Sequence, residues 1–177
     1  MEMINTAIEV VVDMYTQEEK AEDWNLSYLV EFAHTVLLRE EGLEEKDLEG
    51  KTAREIRDYL QEIARENYTT QKEELENEEM FLEFEKVVVL RVVDQQWTDH
   101  IDEMDQLRQG IGLRSYGQTD PLIEYQQEGY RLFEEMIADI EYEVTRLLLK
   151  SRIRQNLERE QAQPTTQPKK VKRRKTK

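Results

Sequence analysis

Two hydrophobic stripes between residues 90 and 149 form the longest regular pattern in the chain. In the first stripe, apolar residues recur at alternating three- and four-residue steps, which places them on one face of an α-helix: Leu90, Val93, Trp97, Ile101, Met104, Leu107 and Ile111. The second stripe repeats the pattern at Leu122, Tyr125, Gly129, Leu132, Met136, Ile140, Val144 and Leu147. The pattern predicts two long helices that pair as an antiparallel hairpin.

The segment that joins the two stripes carries more than a chain reversal requires. Roughly two to five residues are enough to join antiparallel helices. The stretch from Arg108 to Pro121 instead holds two arginines, an isoleucine, a leucine, a tyrosine and three glycines. Asp120 is placed to cap the second helix, with Pro121 at its first position, where a missing N–H costs nothing. We therefore expect a finger with a functional tip.

The remaining regions complete the predicted organisation. Residues 1–16 carry a hydrophobic face typical of the end of a helix, and the lack of a cap suggests a piece of a longer protein. Residues 17–78 are expected to form a separate small wing of helices, one of them starting at a capping box of Thr52 and Glu55. The hairpin occupies residues 79–160, with its second helix expected to reach about residue 160. Residues 161–177 form a tail.

Composition favours an all-α, elongated fold. Hydrophobic residues make up 38% of the chain and charged residues 37%, a balance that suits long helices with one buried stripe. Helix breakers are scarce, with 6 Gly and 3 Pro. Cysteine is absent, which excludes disulfides, thiol catalysis and cysteine-based zinc sites within the chain. No apolar run reaches the ~20 residues that span a bilayer, and no secretory signal follows Met1, so a cytoplasmic location is expected.

Charge is unevenly distributed along the chain. The formal net charge is −15, yet the last nine residues, Lys169 to Lys177, hold seven of the 25 basic residues and no acidic one. The acidic body should repel nucleic acids and anionic lipids, whereas the tail could attract either. Because the tail follows a stretch rich in Gln, Pro and Thr, we expect it to be a disordered, solubilising terminus, and we expect no specific nucleic-acid ligand.

Candidate chemistry narrows the options further. Asp99 and Asp102 flank His100 at positions that do not share its helical face, so we expect a hydrogen-bonded structural histidine and no metal site. Gly110-Ile111-Gly112 follows a helix and lacks the third glycine of a dinucleotide fingerprint, and no phosphate-binding loop is present. No catalytic arrangement stands out. Trp97 is expected to be a core residue. Tyr116 lies off the stripe at the tip, where it either contacts a partner or folds back against the two helices of the hairpin.

Several motifs of the hairpin are specific in order and spacing. The segment Trp97-Thr98-Asp99-His100 is followed by Met104-Asp105-Gln106-Leu107-Arg108-Gln109-Gly110-Ile111, then by Arg114-Ser115-Tyr116-Gly117-Gln118-Thr119-Asp120-Pro121. Together they strongly resemble the C-terminal part of the SecA family, the bacterial motor ATPases that drive preproteins through a membrane channel. The resemblance is close over about residues 80–153. It is looser over residues 1–79, which resemble the end of the family's scaffold helix and its helical wing.

The resemblance implies a role for each part of the finger. In the family, a two-helix finger inserts toward the mouth of a SecYEG-type channel, and its tip tyrosine contacts the unfolded preprotein. Here that tyrosine is Tyr116, and the surrounding tip residues are Arg108, Gln109, Ile111, Leu113, Arg114 and Gln118. Trp97, His100, Asp120 and Pro121 are expected to be structural.

The resemblance also implies what this chain does not contain. ATP and Mg would be bound by motor domains that the chain lacks, so we expect no cofactor and no ATPase activity within it. The implied location is cytoplasmic, peripherally associated with the inner face of the bacterial membrane, with anionic lipid as a possible contact of Lys169–Lys177. A generic helical adaptor, binding a partner protein through its hydrophobic stripe, remains the alternative, and it could dispense with Tyr116.

Overall fold

The chain is all-α, as predicted. The computed structural model describes residues 1–18, 21–40, 42–74, 77–114 and 120–151, and these ranges contain no β-strand. The α-helices are α1 (Glu2–Tyr15), α2 (Leu26–Phe32), α3 (Ala53–Glu74), α4 (Glu78–Arg114) and α5 (Pro121–Lys150). Short 3₁₀ turns cover Ala21–Asp23 and Glu45–Asp47, and α2 continues as a π-helical turn over Ala33–Leu37. The 37 residues of α4 alone span about 55 Å, in line with an elongated shape.

Local capping signals set two of the helix starts, as predicted. Ahead of α3, the backbone N–H of Thr52 donates to Glu55 Oε2 at 2.7 Å, and the N–H of Glu55 donates back to Thr52 Oγ1 at 3.3 Å. At α5, the carboxylate of Asp120 accepts from the N–H of Leu122 at 2.9 Å, and Pro121 occupies the first helical position. These contacts satisfy backbone donors that a helix start leaves unpaired.

The wing shares its core with the scaffold in the described part of the chain. Its buried side chains form one cluster with residues of α1 and with the end of α5: Ile4, Ile8, Val12, Leu29, Phe32, Ala33, Val36, Leu37, Leu43, Leu48, Ile56, Leu60, Ala64 and Leu149. The prediction of a separately packed unit is therefore wrong, because the wing helices bury their hydrophobic faces on the scaffold. The domain boundaries at residues 16 and 78 remain predictions.

A second core joins the two arms of the hairpin. It consists of Val88, Val92, Met136, Ile140, Val144 and Leu148, with Met3 of α1 packed against it. Farther along, the His100 and Phe133 rings lie 6.1 Å apart, and Gly129 lies against Met104. Residues late in α4 therefore pair with residues early in α5, which is the antiparallel arrangement that the two stripes predicted.

The predicted face of α4 is wrong between Leu90 and Ile101. Leu90, Trp97 and Ile101 are about half exposed, and the residues that pack inward are instead Val88 and Val92. The stripe of α5 is correct at Gly129, Met136, Ile140 and Val144, which are buried. The reason for the difference is that α4 is apolar on more than one face around Val87–Val93, so periodicity alone could not choose the buried one.

The arm boundaries also differ from the prediction. The segment that joins the arms was expected to begin at Arg108, but α4 continues to Arg114, so Gly110 lies within the helix and not in a loop. The second arm was expected to reach about residue 160, but α5 ends at Lys150, where Ser151 adopts extended backbone angles (φ −68°, ψ 136°). The predicted tail, including Lys169–Lys177, lies outside the described residues.

Candidate functional site

The candidate site is the far end of the hairpin, where the last turns of α4 carry three of the predicted tip residues. Arg108 is exposed and forms an ion pair with Asp105, with 3.0 Å between Nη2 and Oδ1. Gln109 is exposed, and Ile111 is half-buried. An i,i+3 pair of this kind adds a few tenths of a kcal/mol to a helix, about 0.2–0.5. The structure thus places these side chains on a regular helix, not on a glycine-softened loop.

The other predicted tip residues are beyond direct description. Leu113 and Arg114 belong to the last turn of α4, and their side chains lie outside the described part of the structure. Tyr116 and Gln118 lie outside the described residues altogether. Their roles therefore remain predictions.

The arms enclose a depression just behind the tip. Its lining combines polar side chains and leucines from both arms: Glu103, Gln106, Leu107, Gly110, Glu128 and Leu132. Of the two glutamates that line the depression, Glu128 is already ion-paired with Arg131 at 2.6 Å.

One face of the hairpin is apolar and exposed. The Trp97 ring lies 5.9 Å from the His100 ring, which in turn lies 6.1 Å from the Phe133 ring, so the three form a row across both arms. Helical spacing extends this row along each arm, giving a face formed by Val93, Trp97, Ile101, Tyr130, Phe133 and Ile137, each 36–63% exposed. Trp97 itself is 51% exposed, so the prediction that it is a core residue is wrong for this chain.

His100 is structural in its packing but not in its hydrogen bonding. The residue is buried between Trp97 and Phe133, as a core histidine would be. Its buried Nδ1, however, has no hydrogen-bond partner among the described residues, which contradicts the expected hydrogen-bonded histidine. No group of three or more His, Asp or Glu side chains in the described ranges is arranged to hold a metal ion.

The base of the hairpin is held to the wing by side chains that cap the end of α5. Gln71 Nε2 donates to Ser151 O at 2.7 Å, Arg39 Nη2 donates to the same oxygen at 3.3 Å, and Arg39 Nε donates to Leu149 O at 3.4 Å. Asn67 Nδ2 also donates to Leu149 O, at 3.4 Å. These donors satisfy carbonyls that the last turn of a helix leaves unpaired.

Hydrogen bonds are also donated in the opposite direction, from α5 to the wing. Lys150 of α5 donates from Nζ to His34 O and to Leu38 O, both at 2.6 Å, and so caps the π-helical turn of the wing. Arg39 is held in place by Glu74, whose carboxylate accepts two hydrogen bonds from Nη1 at 2.7 and 2.9 Å. The direction of α5 relative to the wing is therefore fixed by polar contacts as well as by the shared core. We name this set the base junction: Arg39, Asn67, Gln71, Glu74, Lys150 and Ser151.

The start of α4 is fixed to the wing by a tyrosine. The Tyr68 hydroxyl donates to Glu85 Oε1 at 2.6 Å, and the Tyr68 ring meets the Phe81 ring edge-on at 5.3 Å. Partial burial, followed by the adjacent Glu85 carboxylate, raises the pKa of Tyr68 well above its ordinary value. The start of α4 and the end of α5 are thus both held against α3.

Sequence reasoning missed the base junction completely. Its contacts between the wing and the end of α5 join residues that are 80 or more positions apart, as in the contact of Gln71 with Ser151, and a single sequence does not reveal such pairs. One local signal was available. Gln71 follows Ile56, Leu60 and Ala64 on the buried face of α3, and a polar residue that continues a buried face needs a partner.

A known protein family matches most of the chain. The SecA Wing and Scaffold domain family matches residues 1–152, which include both arms of the hairpin, the wing and the base junction. Among the described residues, no helix is both long enough and apolar enough to cross a membrane.

Proposed function

Because the chain belongs to the SecA Wing and Scaffold domain family, we propose that its hairpin is the finger that contacts the preprotein at the channel mouth. Membership already makes the chain a component of a SecA-type protein-translocation motor. The proposal adds that Tyr116 at the tip touches the moving polypeptide, and that the scaffold transmits the ATPase state of the motor domains to the finger.

The observation that carries the proposal is the contrast between the two ends of the hairpin. At the base, capping contacts from Arg39, Gln71 and Lys150 and a shared hydrophobic core fix α5 to the wing. From there the arms extend as a self-packed pair, and the late turns of α4 end in exposed polar side chains such as Arg108 and Gln109. An element anchored at one end and projecting at the other suits insertion into a partner.

A tyrosine suits a tip that meets many sequences. Its ring offers apolar contact without demanding one particular side chain, its hydroxyl offers a hydrogen bond, and fixing it costs little entropy. Arg108 and Arg114 would donate hydrogen bonds to backbone carbonyls of a channel loop or of the polypeptide. These are interactions that any extended chain can accept.

The proposed partners follow from the same assignment. They are a SecYEG-type channel, the unfolded preprotein and the motor domains, which would bind ATP and Mg. The protein would act in the cytoplasm at the inner face of the bacterial membrane, with Lys169–Lys177 free to contact anionic lipids, which attract clustered basic residues.

The test is preprotein transport by a complete motor that carries this module. Tyr116→Ala should sharply reduce transport while ATP binding persists, because the phosphate site would lie in other domains. The matched control is Tyr59→Ala, which removes a 37% exposed tyrosine ring from α3 of the wing, away from the tip. Its transport rate should stay close to that of the parent.

Two results would contradict the proposal. One is unchanged transport by Tyr116→Ala, which would make the tip only a turn. The other is an equal loss for Tyr59→Ala, which would show that the assay responds to any lost ring. Folding of the isolated Tyr116→Ala chain should change by no more than about 0.5 kcal/mol, since it lies off the core stripe.

A further inference from the structure

A groove lies between α1 and α5, away from the tip of the hairpin. One wall is formed by Val10 and Met14, one turn apart on α1 and 43% and 56% exposed. The other wall is formed by Ala138 and Tyr142, also one turn apart, on α5. The space between the walls is about 170 Å³, and it continues past Met14 and Tyr142 to Phe32 of α2. We name this feature the scaffold groove.

The lining of the scaffold groove is adaptable and apolar. The rings of Tyr15 and Tyr28 stack at 5.1 Å and nearly parallel, and those of Phe32 and Tyr142 lie 6.1 Å apart. Met14 adds an unbranched side chain that fits irregular surfaces. Leaving such side chains in water is unfavourable, because each buried Å² of apolar surface is worth about 25 cal/mol.

Unpaired carboxylates surround the scaffold groove. Glu31, Asp139 and Glu141 form no ion pair or side-chain hydrogen bond with the described residues, whereas nearby Glu143 pairs with Arg146 at 2.7 Å. Partial burial raises the pKa of Glu141, and partial burial together with repulsion from neighbouring carboxylates raises that of Asp139. A cation placed here would relieve this excess negative charge.

We propose that the scaffold groove binds an amphipathic helix of a partner protein, with an apolar stripe flanked by Lys or Arg. A groove between two helices is complementary in shape to a third, and wall residues one turn apart match the spacing of apolar residues on such a helix. The flanking basic residues would pair with Glu31, Asp139 and Glu141.

Two other occupants fit less well. A second copy of the chain would bring its own carboxylates against these three, since the chain has 40 acidic and 25 basic residues. The basic run Lys169–Lys177 has suitable charge, but Val171 is its single apolar residue, so it cannot supply a stripe.

The test uses the 177-residue chain and two labelled model helices with the same leucine stripe, one flanked by lysine and one by glutamate. Fluorescence anisotropy should show binding of the lysine-flanked helix and at least about tenfold weaker binding of the glutamate-flanked one.

Met14→Glu should weaken binding of the lysine-flanked helix by about tenfold or more, the effect typical of losing a contact residue. Leu82→Glu is the matched control, because Leu82 on α4 is also 56% exposed and lies outside the groove. It should bind like the parent.

Several outcomes would overturn the proposal. Equal binding by Met14→Glu and the parent would place the helix elsewhere, and equal binding of both helices would remove the role of the carboxylates. If binding requires removal of residues 161–177, the occupant is the chain's own end. If sedimentation shows a dimer that Met14→Glu dissociates, the occupant is a second copy. Circular dichroism of each variant verifies that it is folded, and Val10→Glu provides a second disruption of the same wall.

Discussion

Gln71 of α3 donates a hydrogen bond from Nε2 to the backbone carbonyl of Ser151, 80 residues later, at 2.7 Å. The side chain is 1% exposed, and its Oε1 has no partner among the described residues. A buried amide with one unsatisfied oxygen costs free energy, so the donor contact must offset that cost. The contact also fixes the place on the wing at which α5 ends.

Gln71→Met should therefore destabilise the protein although it preserves volume. The substitution removes the donor and leaves the partly buried Ser151 carbonyl with Arg39 at a longer 3.3 Å, for an expected loss of about 1–2 kcal/mol. Urea unfolding followed by circular dichroism measures it. Gln126→Met, at an exposed position of α5, should change the midpoint little. Equal midpoints for the two variants would show that the contact contributes nothing.

Trp97→Ala should cost no more than about 1 kcal/mol in this chain. The ring is half exposed, so its removal leaves a surface depression and not a closed cavity. Ile140→Ala, at a 7% exposed position in the hairpin core, should cost about 2–5 kcal/mol. Thermal unfolding of both variants compares them directly. A larger loss for Trp97→Ala than for Ile140→Ala would restore the originally predicted register of α4.

Gly129 offers a test of how tightly the arms approach. An added β-carbon would lie 2.9 Å from Met104 Cε, the mobile end of a flexible side chain. Gly129→Ala should therefore gain less than the ~1 kcal/mol of helix propensity that alanine normally offers over glycine. Gly110→Ala should gain nearly all of it, because an added β-carbon there would meet no atom within 4 Å beyond its own stretch of helix backbone. Gly129→Leu should cost about 1–3 kcal/mol through overpacking. A stable Gly129→Leu variant would mean that the arms are loosely paired.

Glu141→Gln should stabilise the protein at neutral pH and not in acid. Partial burial raises the pKa of Glu141 in the folded state, so ionisation is penalised there and stability falls as pH rises through that pKa. Well below pH 4 the carboxyl is protonated in both states, and the variant and parent should unfold at the same midpoint. Because the side chain is only partly buried, the gain at pH 7 should be a few tenths of a kcal/mol, roughly. Glu66→Gln at an exposed site provides the control, and a gain that persists in acid would contradict this account.

Features set by neighbouring residues were predictable from the sequence. The capping box of Thr52 and Glu55 and the Asp120 cap depend on residues two or three positions apart, and both form as expected. The buried face of α5 was also readable, because it carries one clear apolar stripe that includes Met136 and Ile140. In each case the determining physics acts within one or two helical turns.

Features set by long-range packing were not predictable. On α4 the valines offered two possible faces, and only contact with α5 selects Val88 and Val92 over Trp97. The base junction joins polar residues that carry no local signal of their partners, such as Arg39 and Ser151. The shared core of wing and scaffold likewise depends on Leu149 reaching residues more than 100 positions earlier.

The base junction gives the hairpin the geometry of a lever. Its fulcrum lies where Gln71 and Lys150 fasten α5 to the wing, and its free end lies at the far end of α4. With an arm of about 55 Å, a turn of about 10° at the fulcrum would carry the free end through about 10 Å, roughly the length of three extended residues. Small rotations of the wing would thus become displacements of this size at the far end of the hairpin, and the rigidity of the contact at Gln71 would determine how much of each rotation is transmitted.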